Sequence, residues 1–125
     1  MKKLLSGLLL IVLASTSFAH EMVPTYPRWE PSQFGDVLKS TVEIFNKRAD
    51  VEYYEIAIFD RDWNPVPFVT SYKVIQLQYL GTASIDVYIK KADRSRAEYV
   101  CSRSKLKKGS ETRTAVSSTI CSRFK

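Results

Sequence analysis

Few side chains in this sequence have types and spacings that suit chemistry. The two cysteines, Cys101 and Cys121, stand twenty positions apart, and His20 is the one histidine. A redox site normally uses a tight Cys-x-x-Cys, and two sulfurs with one histidine do not complete a four-ligand zinc set. In an oxidising compartment paired thiols become disulfides, so the sequence predicts a structural bridge between Cys101 and Cys121.

The single histidine also limits catalysis and metal binding. A Ser-His-Asp or Cys-His arrangement would have to recruit His20, so we predict no catalytic residues and no enzyme activity. An amino-terminal histidine can chelate copper through its amine and ring nitrogens, which makes a periplasmic copper-binding protein one alternative. Such sites generally need a second histidine. The preferred interpretation therefore has no metal and no cofactor, and it places His20 in a mobile terminus.

Basic side chains cluster in the second half of the chain. The cluster, interrupted by Asp93 and Glu98, comprises Lys90, Lys91, Arg94, Arg96, Arg103, Lys105, Lys107 and Lys108. It is a candidate patch for steering the protein toward phosphate-rich surfaces, nucleic acid or an acidic partner, and charged, solvated loops are the alternative. Without the two lysines of residues 1–19, the formal net charge falls from +6 to 17 − 13 = +4, a modest excess. We do not expect nucleic acid to be the partner.

Residues 1–19 have the pattern of a secretory signal peptide. Lys2 and Lys3 precede an apolar run over residues 4–14, and Ser17-Phe18-Ala19 forms a small-x-small cleavage site. The apolar run is too short to span a membrane. We therefore expect residues 20–125 to form one secreted or periplasmic domain, with no membrane span after cleavage.

Alternating apolar and polar residues predict strands to carry these groups. Residues 37–45 and 51–59 both alternate and flank a polar turn at 46–50, which predicts a hairpin. Further strands are predicted at 72–80, 85–89, 97–103 and 114–124, and the proline-rich segment 20–33 suits an extended arm or edge strand. No helical period occurs after residue 19. The pattern predicts an all-β antiparallel sandwich of about seven strands, with a disulfide across the last two. Tyr53 and Tyr88 fall opposite the predicted core faces, where they are candidates for a contact surface.

The order of several segments resembles the amino-terminal immunoglobulin-like domain of periplasmic pilus-assembly chaperones. The segments that carry the resemblance are Phe45-Asn46, residues 51–59, Trp63-Asn64-Pro65, residues 67–70, residues 85–89 and residues 92–99. The stretch at 92–99, where Ala-Asp-Arg leads into an aromatic strand, is the most similar. The resemblance covers residues 28–105 and implies an immunoglobulin-like β-sandwich.

The resemblance also implies how such a domain binds its partner. In that family a subunit strand is added to the chaperone's edge, and an arginine of the first strand and a lysine of the last strand hold the subunit's carboxylate. Arg28 falls near the arginine, whereas Cys121 falls near the lysine and Arg123 is the nearest cation. Val116 and Ile120 are the large apolar side chains that would face the partner. The expected partner is thus a protein, bound by strand addition at residues 24–29 or 114–124.

A structural role in an extracellular or phage virion assembly is the main alternative. In that case the same edges would pair with further copies of the chain, so self-association is the property that separates the two interpretations.

Overall fold

Strand-forming alternation accounts for nearly all the regular structure. The computed structural model describes residues 19–105 and 117–125. The described residues form nine strands, which are β1 (Glu21–Val23), β2 (Glu30–Pro31), β3 (Val37–Phe45), β4 (Tyr53–Phe59), β5 (Val69–Thr70), β6 (Val74–Gln76), β7 (Thr82–Lys90), β8 (Tyr99–Lys105) and β9 (Thr119–Arg123). One turn of 3₁₀ helix, Lys91–Asp93, follows β7. Residues 1–18 of the predicted signal peptide, together with Lys107, Lys108 and Val116, lie outside the described residues.

The strands form two antiparallel sheets. The first sheet has the order β1-β3-β7-β5, with β2 also pairing with β3, and the second has the order β6-β4-β8-β9. In each long strand, buried residues alternate with partly buried or exposed ones, so each sheet turns one apolar face toward the other. The predicted all-β sandwich is confirmed. In the described part of the chain, no helix has the length and apolar character needed to cross a membrane.

The core lies between the two sheets and consists mainly of aliphatic side chains. The members that are no more than 2% exposed include Val42, Ile44, Tyr54, Ile56, Ile58, Val87, Ile89 and Val100. Burying each such side chain stabilises the fold by about 1.5–3 kcal/mol relative to leaving it in water. The core faces predicted for residues 37–45, 51–59 and 85–89 are therefore the faces observed.

The predicted hairpin between residues 37–45 and 51–59 is wrong, because β3 and β4 lie in different sheets. Asn46 holds the segment in which the chain crosses from the first sheet to the second. Its side-chain amide is fully buried and donates to the carbonyl oxygens of Val51 and Leu77 at 2.8 and 2.9 Å. Its main chain is also bound on both sides, since its N–H donates to Gly81 and its oxygen accepts from Leu80. Two strands with one apolar face each thus pack face to face instead of pairing edge to edge.

Two other segments are shorter in the sheets than their alternation predicts. Residues 72–80 contribute only β6, because Tyr72 and Tyr79 are exposed, and a turn ends at Gly81. The last strand begins at Thr119. The proline-rich segment behaves as predicted, since β1 and β2 both pair with β3 at the edge of the first sheet.

Candidate functional site

The outer edge of β9 has main-chain groups that no strand uses. Ser104 N–H donates to Ser118 and Phe124 N–H donates to Glu98, so the even-numbered residues of β9 are bonded to β8. Antiparallel pairing alternates, and the N–H and C=O groups of Thr119, Cys121 and Arg123 therefore point outward. Within residues 19–105 and 117–125, β8 is the only strand paired with β9.

The apolar side chains in β9 and just after it pack against the core and do not form an exposed apolar surface. Ile120 is half-buried and packs against the core with Phe124, which stacks on Trp29 with ring centroids 4.3 Å apart. Val116, the other apolar side chain predicted to face a partner, lies outside the described residues. At this edge the main chain, rather than a row of apolar side chains, is what remains available for binding.

The disulfide fixes this edge to the rest of the sheet. Cys101 of β8 lies directly opposite Cys121 of β9, and their sulfur atoms are bonded. The two side chains lie on the same face of the sheet, where Cys101 is buried and Cys121 is exposed. The predicted Cys101–Cys121 bridge is thus confirmed, and it makes β9 a tethered edge.

Arg28 and Arg123, the two cations expected near a bound carboxylate, have different surroundings. Arg123 donates from Nε to Glu98 at 2.7 Å, so its charge is already paired. Arg28 is exposed and makes no ion pair with another described residue. It follows Pro27, whose carbonyl oxygen accepts from Lys125 N–H at 2.9 Å. Arg28 therefore lies close to the end of the last strand with its charge free.

His20 is buried beneath the same side of the sandwich, so its expected place in a mobile terminus is wrong. It is 1% exposed, and its ring packs on Tyr54 with centroids 4.5 Å apart. Its Nε2 lies 3.1 Å from the carbonyl oxygen of Ser102, which can only accept, so Nε2 carries the proton. Nδ1 then accepts from the Ser118 hydroxyl at 3.0 Å. His20 thereby ties the start of β1 to β8 and to the start of β9.

The charge state of this buried cluster is set by its surroundings. Burial lowers the pKa of His20 below its usual 6.5. The hydrogen bond to the Ser102 carbonyl acts in the opposite direction, and the nearby charge of Arg48 lowers the pKa further. Burial also raises the pKa of Tyr54 to about 12. The Arg48 side chain donates to Asp50 at 2.6 and 2.9 Å, which raises the pKa of the guanidinium. Neutral His20 and neutral Tyr54 thus lie beside one bound cation.

This geometry bears on catalysis and on copper. Ser102 Oγ lies 2.7 Å from His20 Nε2, a separation that resembles a catalytic pair, but Ser102 is 0% and His20 1% exposed. Both ring nitrogens of His20 are engaged in hydrogen bonds, so neither is free for a metal. The described residues also contain no group of three or more His, Cys, Asp or Glu side chains arranged to hold a metal ion.

The predicted basic patch is divided by the length of β8. Lys90, Lys91, Arg94 and Arg96 lie before β8, whereas Lys105 lies at its far end, about 20 Å away at the usual rise of a strand. Lys105 is paired with Glu55 at 3.0 Å and Arg96 with Asp93 at 2.7 Å. The structure therefore brings only the first group together.

Sequence reasoning missed the buried polar cluster formed by Asn46, Arg48, Ser102 and Ser118. One signal was present: Ser102 and Ser104 share the inward face of β8 with Val100, and buried polar side chains need partners. Neither periodicity nor composition indicates that His20 and Ser118, 98 positions apart, are those partners.

Comparison with known proteins assigns the fold. No protein-family model matches the sequence, and no curated protein is significantly similar to it. The E. coli chaperone DraB superposes with a TM-score of 0.64 at 12% identity, over 86% of this chain and 54% of DraB. The periplasmic chaperone SfaE gives 0.54 at 12% identity, over 85% of this chain and 56% of SfaE.

A PapD-like domain of human CEP192 matches with a TM-score of 0.54 at 10% identity, over 84% of this chain and 81% of that domain. The chain spans about half the length of each of the two chaperones, and most of the length of the isolated domain. The resemblance predicted from the sequence is thus confirmed for the fold: the chain is an immunoglobulin-like β-sandwich, similar in fold to the chaperones DraB and SfaE.

Proposed function

We propose that this chain is a non-enzymatic protein-binding module that pairs an extended segment of a partner protein with the outer edge of β9. The observation that carries the proposal is the set of outward N–H and C=O groups at Thr119, Cys121 and Arg123, which no strand in the described residues uses. Outward main-chain groups that no strand uses can pair with a strand of another protein, and main-chain hydrogen bonds then supply the affinity.

Two features support the choice of this edge. The Cys101–Cys121 bridge holds β9 in place, so less conformational entropy is lost when a partner strand binds. Arg28, exposed and without an ion pair among the described residues, lies near the end of β9, where it is placed to bind a carboxylate of the partner.

The proposal includes location outside the cytoplasm. A disulfide persists in an oxidising compartment, and residues 1–19 have the pattern of a cleaved signal peptide. We infer that residues 20–125 are periplasmic or secreted, and that the partner is met there.

Replacing Thr119 by proline tests the edge directly. Thr119 N–H points outward, so proline removes a donor to the partner without breaking a bond to β8. With the immobilised chain as bait for the periplasmic and secreted proteins of its host, we expect Thr119→Pro to lose most of the partner that the wild type retains. Thr119→Ala keeps the N–H and is the matched control, and Arg28→Ala is expected to weaken retention as well.

Three outcomes bear on the proposal. Retention by Thr119→Ala but not by Thr119→Pro supports strand addition at β9, provided that both variants melt within a few degrees of the wild type. Equal retention by both variants contradicts it. Recovery of no partner by the wild type also counts against the proposal.

An assembly protein is the second candidate, favoured by one observation. β6 and β9 are the two outer strands of the same sheet, so pairing of β9 with β6 of another copy would continue without closing. Regular polymers in concentration-dependent light scattering favour this alternative, and a stable monomer rules it out.

A further inference from the structure

An apolar groove lies on the opposite side of the molecule from β9, at the edge of the first sheet. It has a volume of about 600 Å³ and forms where the chain before β5 diverges from the end of β7. Its apolar lining consists of Phe34, Val37, Pro67, Phe68, Val69, Tyr88 and Ile89. Phe34 is 58% exposed and Val69 is 69% exposed, so the fold leaves large apolar side chains on both walls.

Contacts among aromatic and aliphatic side chains form the base and walls of the groove. Tyr88 lies on the outer face of β7, directly opposite Val69 of β5, and its ring meets that of Phe34 edge-on with centroids 6.4 Å apart. Phe68 packs against the core, and the ammonium of Lys73 lies over its ring, 5.2 Å from the ring centroid. Tyr88, which the alternation predicts to lie opposite the core face, forms the base of this groove.

One rim of the groove is basic. Lys90 lines it, and two further cations that are not themselves lining residues follow in the chain, Lys91 in the 3₁₀ turn and Arg94 at its end. All three are exposed, and none forms an ion pair with a residue in the described ranges. The groove also contains one carboxylate, Asp93, which is neutralised by Arg96 at 2.7 Å. The rim therefore has unpaired positive charge beside an apolar cleft.

From this juxtaposition, we infer that the groove binds an acidic peptide segment with one large apolar side chain. The apolar side chain would lie on Tyr88 between Phe34 and Val69, and the flanking carboxylates would face Lys90, Lys91 and Arg94. Burying a large apolar side chain favours binding, and the exposed charges add orientation and a dependence on salt. The site is on a different sheet from β9, so it is independent of the strand-addition proposal.

A defined peptide tests the inference. The probe is a blocked pentapeptide with phenylalanine between two pairs of glutamates, and isothermal titration calorimetry at low and at 0.5 M salt is the measurement. We expect binding to wild type that weakens with salt, and a loss of about tenfold in affinity in Lys90→Glu from charge reversal at the rim. Phe34→Ser is expected to weaken binding comparably by removing one wall.

The controls separate this site from general charge attraction. Arg103→Glu makes the same change of charge on the exposed face of β8 and is expected to bind like the wild type. Replacing the peptide's phenylalanine by serine, or its glutamates by lysines, is expected to abolish binding. Equal affinity for wild type, Lys90→Glu and Arg103→Glu overturns the inference. Tighter binding of a ten-nucleotide RNA than of the peptide at physiological salt overturns it in favour of a nucleic-acid patch.

Discussion

Replacing Asn46 by leucine is expected to lower the free energy of unfolding by about 4 kcal/mol. The buried amide binds four groups: the carbonyl oxygens of Val51 and Leu77, the N–H of Arg48 and the hydroxyl of Tyr54. Leucine has a similar volume but offers none of these bonds. Each buried group left without its partner costs about 1–3 kcal/mol, and the apolar burial of leucine offsets only part of the sum.

Urea denaturation, followed by the fluorescence of Trp29 and Trp63, measures this change. Asn64→Leu is the matched control, because Asn64 is exposed in a turn and the same substitution there is expected to cost less than about 1 kcal/mol. Equal destabilisation by the two substitutions would mean that Asn46 is not the residue that directs the chain from β3 across to β4.

Removing the disulfide is expected to cost about 3 kcal/mol on the chain-entropy estimate for a loop of this length. The bridge closes a segment with a sequence separation of 20 and attaches the edge strand β9 to β8. The Cys101→Ala/Cys121→Ala variant should therefore unfold at a lower urea concentration than the oxidised wild type.

A reductant provides the control for this prediction. Dithiothreitol should shift the wild type toward the double variant and leave the double variant unchanged. If the oxidised wild type and the double variant have the same unfolding midpoint, the bridge does not stabilise the fold. The assignment of β9 as a tethered edge then loses its main support.

The parts of the fold that follow from local pattern could be predicted. Residues 37–45 form β3 with the predicted bounds and faces, because strict alternation leaves one register that buries Val42 and Ile44. The pairing of Cys101 with Cys121 could also be predicted, because two cysteines in an oxidising compartment have one intramolecular partner each.

The parts that depend on tertiary contacts could not be predicted. A five-residue polar turn is compatible with a hairpin or with a crossing between sheets, and the buried bonds of Asn46 decide between them. His20 follows the predicted cleavage site and was therefore expected in a mobile terminus. In the structure it forms hydrogen bonds with Ser102 of β8 and with Ser118 just before β9. The basic residues are close together in the sequence, which predicts one cluster. In the structure the length of β8 separates Lys105 from those that precede the strand.

Amide hydrogen exchange of the chain, with and without its recovered partner, tests strand addition at β9 most directly. The outward N–H groups of Thr119, Cys121 and Arg123 should exchange fast in the free protein, whereas those of Ile120, Ser122 and Phe124 are already bonded to β8. If the partner adds a strand at β9, it should slow exchange at the three outward positions by about tenfold or more. Unchanged exchange at all three, with protection appearing only elsewhere, would contradict it.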